Sequence, residues 1–208
     1  MPFTAATTAL YLIFSLGFVL SLYFPANPFF IALKITPFLF LFPALISELK
    51  GKRLWYLNAA ILFSMAGDVF LEFKFNGAFI AGLLCFLVSH LFYIARGLMD
   101  YNKLSQTILY KLVILSPVPV LAFLIIPGLN DMLIPVLAYM VAITINAFIC
   151  ANQRSSWLGL GAFIFILSDG MIAYNKFVTP VEGIRFPIMI TYYTAQYLLI
   201  GGYLKTKS

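Results

Sequence analysis

Eight long apolar stretches follow one another along this chain of 208 residues. Each contains about 20 residues, enough for an α-helix with a rise of about 1.5 Å per residue to cross a hydrocarbon core roughly 30 Å thick. Short polar segments such as "ELKGKR" at 48, "KFNG" at 74 and "NQRSS" at 152 separate the stretches. The predicted spans cover residues 5–24, 29–47, 54–73, 78–97, 108–126, 132–150, 157–175 and 186–204.

The composition lies outside the range of soluble globular proteins. Hydrophobic residues make up 63% of the chain and charged residues 10%, and the mean hydropathy is +1.01. We therefore expect an all-α, multi-pass integral membrane protein, with one domain over residues 1–208 that forms a bundle of eight transmembrane helices. No basic segment precedes the first stretch, so we interpret it as a span and not as a signal peptide. The two cysteines both fall within spans, which predicts no disulfide framework.

Basic residues are distributed unevenly between the two sides of the predicted bundle. Nine lie on the side shared by both termini and three on the other side, while Lys34 lies within a span. The positive-inside rule therefore predicts that both termini are cytosolic. Basic segments beside an anionic leaflet also explain the formal net charge of +6, so no nucleic-acid partner is expected. The nine are Lys50, Lys52, Arg53, Arg96, Lys103, Lys111, Arg154, Lys205 and Lys207; the three are Lys74, Lys176 and Arg185.

Polar side chains within the spans are few. An Asp or Lys at a helix centre costs roughly 2.5 to 3.5 kcal/mol on insertion scales, so such residues tend to face the interior of a bundle and to serve a function. Counting about 1.5 Å per residue, we estimate that most of them lie within one band on the order of 10 Å tall, in the non-cytosolic half. The polar residues of this band are Lys34, Asp68, His90, Asp169, Tyr192 and Gln196, and Asn146 is a further polar residue within a span.

Four segments of the chain resemble signature segments of the YhhN-like lysoplasmalogenase family. They are "GDVFL" at 67, "GLLCFLVSHLFY" at 82, "LSDGMIAYNKF" at 167 and "MITYYTAQYL" at 189, in the same order and with similar spacing. Lys34 with Pro37 resembles a further family element, in which the Lys and Pro are more often adjacent. The resemblance implies an eight-span hydrolase that cleaves the vinyl ether bond of lysoplasmalogens, which yields a fatty aldehyde and glycerophosphoethanolamine or glycerophosphocholine.

Hydrolysis of a vinyl ether begins with protonation of carbon and continues with attack of water on an oxocarbenium ion. Two carboxyl groups can serve this reaction, one protonated as the acid and the other ionised as the base. We assign these roles to Asp68 and Asp169 without deciding which is which, and His90 is a proton shuttle or hydrogen-bond partner for one of them. The expected substrate-binding residues are Lys34 for the lipid phosphate and Tyr192, Tyr193 and Gln196 for water or glycerol, together with Ser168 and Asn175.

Other chemistries lack their usual residues. The chain contains one His, whereas intramembrane zinc hydrolases need two or three, so we expect neither a metal site nor another cofactor. No GxSxG elbow or phosphate-binding glycine loop occurs.

Two further classes of protein stay open. The same Asp and His residues could form the proton relay of a small transporter or the site of a lipid-binding protein, or the chain could be a structural subunit that acts only through partners. Each Asp taken alone could also be a structural partner for a Lys or Tyr of a neighbouring helix. The expected partners are a lysophospholipid substrate and membrane lipid. The expected membrane is the endoplasmic reticulum in a eukaryote and the cytoplasmic membrane in a bacterium.

Overall fold

The computed structural model describes residues 3–24, 29–101 and 106–206. These ranges contain α-helices, two short 3₁₀ turns and no strand. The helices are α1 (Ala5–Ser21), α2 (Phe30–Leu39), α3 (Leu41–Glu48), α4 (Gly51–Glu72), α5 (Ala78–Leu98), α6 (Ile108–Leu115), α7 (Pro117–Ile125), α8 (Leu133–Ala151), α9 (Ser156–Phe177) and α10 (Arg185–Lys205). The "PANP" segment at 25, Lys103 and Lys207 lie outside the described residues.

Two of the predicted spans are each built from two helices in succession. Pro37 lies inside α2, and the backbone N–H of Phe40 bonds to its carbonyl where α2 gives way to α3. Pro117 begins α7 directly after Ser116, the residue that ends α6. Proline has no backbone N–H and its ring crowds the preceding turn, so Pro43, the third residue of α3, interrupts the end of α2, and Pro117 interrupts the end of α6.

Within the described residues, six helical segments are long and apolar enough to cross a membrane. They are Phe30–Glu48, Gly51–Glu72, Ala78–Leu98, Ile108–Gly128, Asn130–Ala151 and Ser156–Phe177. Helix α1 is apolar but has only 17 residues, and α10 has 21 residues with a basic residue at each end. The prediction of an all-α membrane protein with several spans is confirmed, whereas the number eight and the orientation of the termini stay predictions.

The outer surface differs from that of a soluble protein. Large apolar residues are exposed on the outer surface, with Phe123 81% and Ile134 80% exposed. The interior holds charged and polar residues, including Lys34, Asp68 and His90. This arrangement suits a lipid environment, because charged groups avoid hydrocarbon while apolar ones do not.

Helices α9 and α10 approach each other closely through glycine. A Cβ atom at Gly161 would lie 3.0 Å from the backbone nitrogen of Leu199, and one at Gly202 would lie 3.0 Å from the backbone nitrogen of Leu158. Small residues permit this approach between membrane helices. On the other side, α4 packs against α5, and α8 contacts both α5 and α9. The predicted site residues of α4, α5, α9 and α10 therefore face a common interior.

Candidate active site

Lys34 forms a buried ionic cluster with two acidic residues of α4. Its Nζ lies 3.3 Å from Oδ1 of Asp68 and 2.9 Å from Oε1 of Glu72. Asp68 and Glu72 are four residues apart and therefore share one face of the helix. Lys34 is 4% exposed and Asp68 2% exposed. The charge of Lys34, which the sequence assigned to a lipid phosphate, is thus already paired with protein carboxylates.

Helix α10 supplies the hydroxyl that completes the surroundings of Asp68. The Tyr192 hydroxyl donates to Oδ2 of Asp68 at 2.8 Å, and Nε2 of Gln196 lies 3.5 Å from the same hydroxyl. Tyr193 turns away and donates to the backbone carbonyl of Lys34 at 2.7 Å. Tyr192 and Gln196 share a helix face, as their spacing of four predicts, and Tyr193 lies on another.

Asp169 has a different set of neighbours. The Tyr139 hydroxyl donates to its Oδ2, and no basic side chain of the described residues lies within ion-pairing distance of it. His90 Nε2 is 3.0 Å from the Tyr139 hydroxyl, and the amide nitrogen of Asn146 is 3.2 Å from His90 Nδ1. Because an amide nitrogen only donates, Nδ1 accepts and Nε2 carries the proton. Asn146 therefore donates to His90, His90 donates to Tyr139, and Tyr139 donates to Asp169.

The orientation of the Asn146 amide is set by its other contact. The Cys150 thiol donates to its Oδ1 at 3.6 Å, which leaves Nδ2 to face His90. His90 forms a direct hydrogen bond with neither aspartate in the described part of the chain. It reaches Asp169 only through Tyr139, a residue that the sequence analysis missed. Tyr139 lies seven residues before Asn146, hence on the same face of α8, and this spacing was the available signal.

Both aspartates line one cavity of about 520 Å³ near one end of the bundle. An apolar groove between α5, α7, α8 and α9 adjoins it and is lined by side chains such as Leu121, Val136 and Ile143. Five residues line both spaces: Leu71, Phe79, Phe86, Asp169 and Ile172. Asp169 therefore lies at the boundary between a polar cavity and an apolar groove.

The two remaining predicted residues, Ser168 and Asn175, form hydrogen bonds with the backbone of other segments. Ser168 Oγ donates to the backbone carbonyl of Ile188 at 3.0 Å, so it links α9 to α10. The close approach of the two helices brings this carbonyl within reach. Asn175 lines the cavity, and its Oδ1 accepts from the backbone N–H of Val181 at 2.8 Å, which fixes the segment after α9.

Metal-binding potential can be judged from the donor groups. Among the residues that the structure describes, no three or more His, Cys, Asp or Glu side chains are grouped so that they could hold a metal ion. None of the site residues is therefore assigned as a metal ligand.

Comparison with known proteins identifies the family. The sequence model of the YhhN family matches residues 29–203. The chain belongs to the YhhN family. Among curated relatives of this YhhN protein, lysoplasmalogenase TMEM86B of Homo sapiens is 34% identical over 143 residues, covering 69% of this chain and 61% of the relative. Lysoplasmalogenase TMEM86A of Homo sapiens is 35% identical over 147 residues, covering 67% and 61%.

A bacterial relative aligns over more of the YhhN protein. The lysoplasmalogenase of Mycobacterium tuberculosis is 28% identical over 182 residues, covering 83% of this chain and 69% of the relative. The chain spans less than two thirds of the length of the human relatives. No solved structure matches it.

Proposed function

We propose that this YhhN protein is a lysoplasmalogenase that hydrolyses the vinyl ether bond of 1-alkenyl-glycerophosphoethanolamine or 1-alkenyl-glycerophosphocholine. The observation that carries the proposal is the position of Asp169 where the polar cavity meets the apolar groove, with Asp68 lining the same cavity. The names of the curated relatives support it.

The two adjoining spaces suit the two parts of a lysolipid. A single hydrocarbon chain fits a groove lined by aliphatic and aromatic side chains, and a zwitterionic head group fits a cavity that contains charged residues. The vinyl ether lies between chain and head group in the lipid. A lysolipid bound in this way brings its vinyl ether to the boundary, next to Asp169.

The different neighbours of the two carboxyl groups support different roles. The Lys34 ammonium favours the ionised form of Asp68, and the Tyr192 hydroxyl also donates to it. Asp169 is half-buried, lines the apolar groove and has no cationic partner among the described residues, and surroundings of this kind favour the protonated form. We therefore assign Asp169 as the acid and Asp68 as the base.

These assignments yield a closed proton cycle. Asp169 protonates the β-carbon of the vinyl ether, and Asp68 takes a proton from the water that attacks the resulting oxocarbenium ion. The product is a hemiacetal. Asp68 then returns its proton to the departing glycerol oxygen while Asp169 accepts the proton of the hemiacetal hydroxyl, which releases the aldehyde. One water is consumed, and both carboxyl groups regain their starting states.

We further propose that α1 and α10 cross the membrane together with the six segments above, in one eight-helix domain with both termini in the cytosol. The basic residues of the connecting segments support this orientation. The active-site cavity then opens in the non-cytosolic half of the bilayer. The membrane would be the endoplasmic reticulum in a eukaryote or the cytoplasmic membrane in a bacterium.

The decisive experiment is aldehyde release from 1-alkenyl-glycerophosphoethanolamine by protein purified in detergent, with chelator present. Asp68→Asn and Asp169→Asn should each lower the rate by at least about 100-fold, because each removes a proton-transfer group. Asp131→Asn, at an exposed position, is the matched control. All variants should remain monodisperse.

Normal hydrolysis by both aspartate variants would refute the acid-base assignment. If the wild-type protein releases no aldehyde but takes up lipid in a proton-dependent way after reconstitution into liposomes, the transporter alternative replaces the hydrolase.

A further inference from the structure

Three basic side chains line the polar cavity, and two of them are paired with carboxylates. Lys34 bonds to Asp68 and Glu72. Nη2 of Arg185 lies 2.7 Å from Oε1 of Glu72 and 2.9 Å from its Oε2. Lys176, at the end of α9, is exposed and has no carboxylate within ion-pairing distance in the ranges described above. It is the cation that is available to a ligand.

We propose that Lys176 binds the phosphate of the lysolipid, in place of Lys34, which holds Asp68 in its ionised form. This inference rests on the proposed function, because it assumes a lysophospholipid in the cavity. It assigns a substrate-binding role to a residue that the sequence analysis treated only as a basic residue of a connecting segment.

The charge of the cavity favours an anion at this position. The three basic side chains face two ionised carboxylates, Asp68 and Glu72, and a third acid, Asp169, that is protonated in the proposed resting state. One positive charge is left over, and it belongs to the unpaired lysine. A phosphodiester carries one negative charge and neutralises it.

The position of Lys176 also matches the dimensions of the lipid. Asp169 and Lys176 are seven residues apart on α9, so they share a face and are separated by about 10.5 Å along the axis. In a 1-alkenyl lysolipid seven bonds separate the β-carbon from the phosphorus, so with the glycerol extended, at an advance of about 1.2 Å per bond, the two atoms are about 8 to 9 Å apart. The reach of the lysine side chain covers the difference.

An aromatic contact fixes the lysine at the boundary between the two spaces. Its Nζ lies 4.5 Å from the centroid of the Phe79 ring, and Phe79 lines both the polar cavity and the apolar groove. A cation over an aromatic face is attracted to it without being neutralised. The ammonium group is thus held near the point where the head group would leave the groove.

The test measures equilibrium binding of a saturated 1-alkyl-glycerophosphoethanolamine, which has no vinyl ether and is not hydrolysed, in a phosphate-free nonionic detergent. Lys176→Gln should weaken binding by roughly tenfold, the usual effect of losing one charge-assisted hydrogen bond. Lys176→Arg should restore it. Lys74→Gln removes a basic residue from the connection between α4 and α5, outside the cavity, and should bind as the wild type does.

A phosphate-free ligand separates phosphate recognition from general damage. Binding of 1-alkylglycerol should be equal in wild type and Lys176→Gln, and aldehyde release from 1-alkenylglycerol should likewise be unchanged. Equal binding of the phospholipid by both proteins, or an equal loss for both ligands, would overturn the inference. Aldehyde release by the wild type reports on the proposed function separately, so either proposal can fail while the other is tested.

Discussion

Two aspartates of identical chemistry acquire different properties from their neighbours. Asp68 lies 3.3 Å from a lysine ammonium, whereas Asp169 meets a tyrosine hydroxyl and no cation in the described chain. A carboxyl group beside a cation is stabilised as the anion, and one buried without a cation is stabilised as the neutral acid. The proposed roles of the two aspartates as acid and base therefore depend on neighbouring residues that do not themselves react.

Tyr139 is the residue whose removal best tests the link between His90 and Asp169. Tyr139→Phe keeps the ring but removes the hydroxyl that donates to Asp169 and faces His90. We expect kcat for aldehyde release to fall by roughly 10- to 100-fold with little change in KM, because the orientation of the acid is disturbed and the substrate contacts are not.

A double-variant cycle distinguishes this link from two independent effects. His90→Gln should lower kcat to a similar degree, and the double variant should be no slower than the slower single variant, since both act through one chain. Tyr110→Phe is the control, because its hydroxyl donates to the Ser156 carbonyl away from the site. Additive losses for His90 and Tyr139 would contradict the chain of donors.

At the scale of secondary structure, α9 contributes several residues to the site. Asp169, Asn175 and Lys176 all lie on it, and Ser168 ties it to α10. Its last turn lies against Gly128, at the end of the 3₁₀ turn Ile126–Gly128, where a Cβ atom would lie 2.0 Å from the backbone carbonyl oxygen of Phe177. The position of the end of α9 therefore depends on the absence of a side chain in a different segment.

Gly128→Ala should destabilise the protein. The added methyl cannot be accommodated against a backbone carbonyl, and overpacking of this kind costs about 1 to 3 kcal/mol. Thermal unfolding in detergent should begin at a lower temperature. The shift of Phe177, which lines the apolar groove, should also raise KM for the lysolipid.

The matched control is Gly17→Ala in α1, where a Cβ atom would meet nothing within 4 Å. Alanine is a better helix former than glycine by about 1 kcal/mol, so this variant should be as stable as the wild type or more stable. A Gly128→Ala protein with wild-type unfolding and KM would show that the close approach is not required.

At the scale of the whole molecule, the bundle contains two clusters of ion pairs. One cluster lies at the end that carries the site, and the other lies at the opposite end. There, Asp100 pairs with Arg53 at 2.6 Å and with Arg96 at 2.5 Å. Asp68 and Glu72 stand near the C-terminal end of α4, whereas Arg53 stands near its start. The two clusters therefore lie at opposite ends of one helix, which is 22 residues long.

The proposed orientation predicts opposite accessibility for these two ends. With the protein in a bacterial cytoplasmic membrane, Lys74→Cys should react with a membrane-impermeant maleimide added to intact cells or sealed right-side-out vesicles. Arg154→Cys should react only after permeabilisation, because its segment is expected on the cytosolic side. The wild-type chain, with Cys150 buried and Cys85 within α5, provides the blank. Labelling of both variants from the same side would refute the proposed topology.

Much of the helical architecture could be predicted from local sequence. Predicted boundaries such as 78–97 agree closely with Ala78–Leu98, because the thickness of the hydrocarbon core sets the length of a span. The positions of proline set the breaks within spans. The inward position of Lys34, Asp68 and His90 follows from the cost of placing such groups in lipid. Some boundaries differ: α4 begins at Gly51, so Lys52 and Arg53 belong to its first turn, and α9 ends at Phe177, so Lys176 belongs to its last turn and not to a connection.

The partners of these residues were decided only by the packing of distant segments. Lys34 meets Glu72 across 38 positions, Asp169 meets Tyr139 across 30, and Ser168 bonds to a carbonyl of α10 across 20. Helical periodicity states which face a side chain occupies, but not which neighbour stands opposite or at what height. Those choices depend on close approaches such as that of α9 and α10, which arise when all the helices pack together.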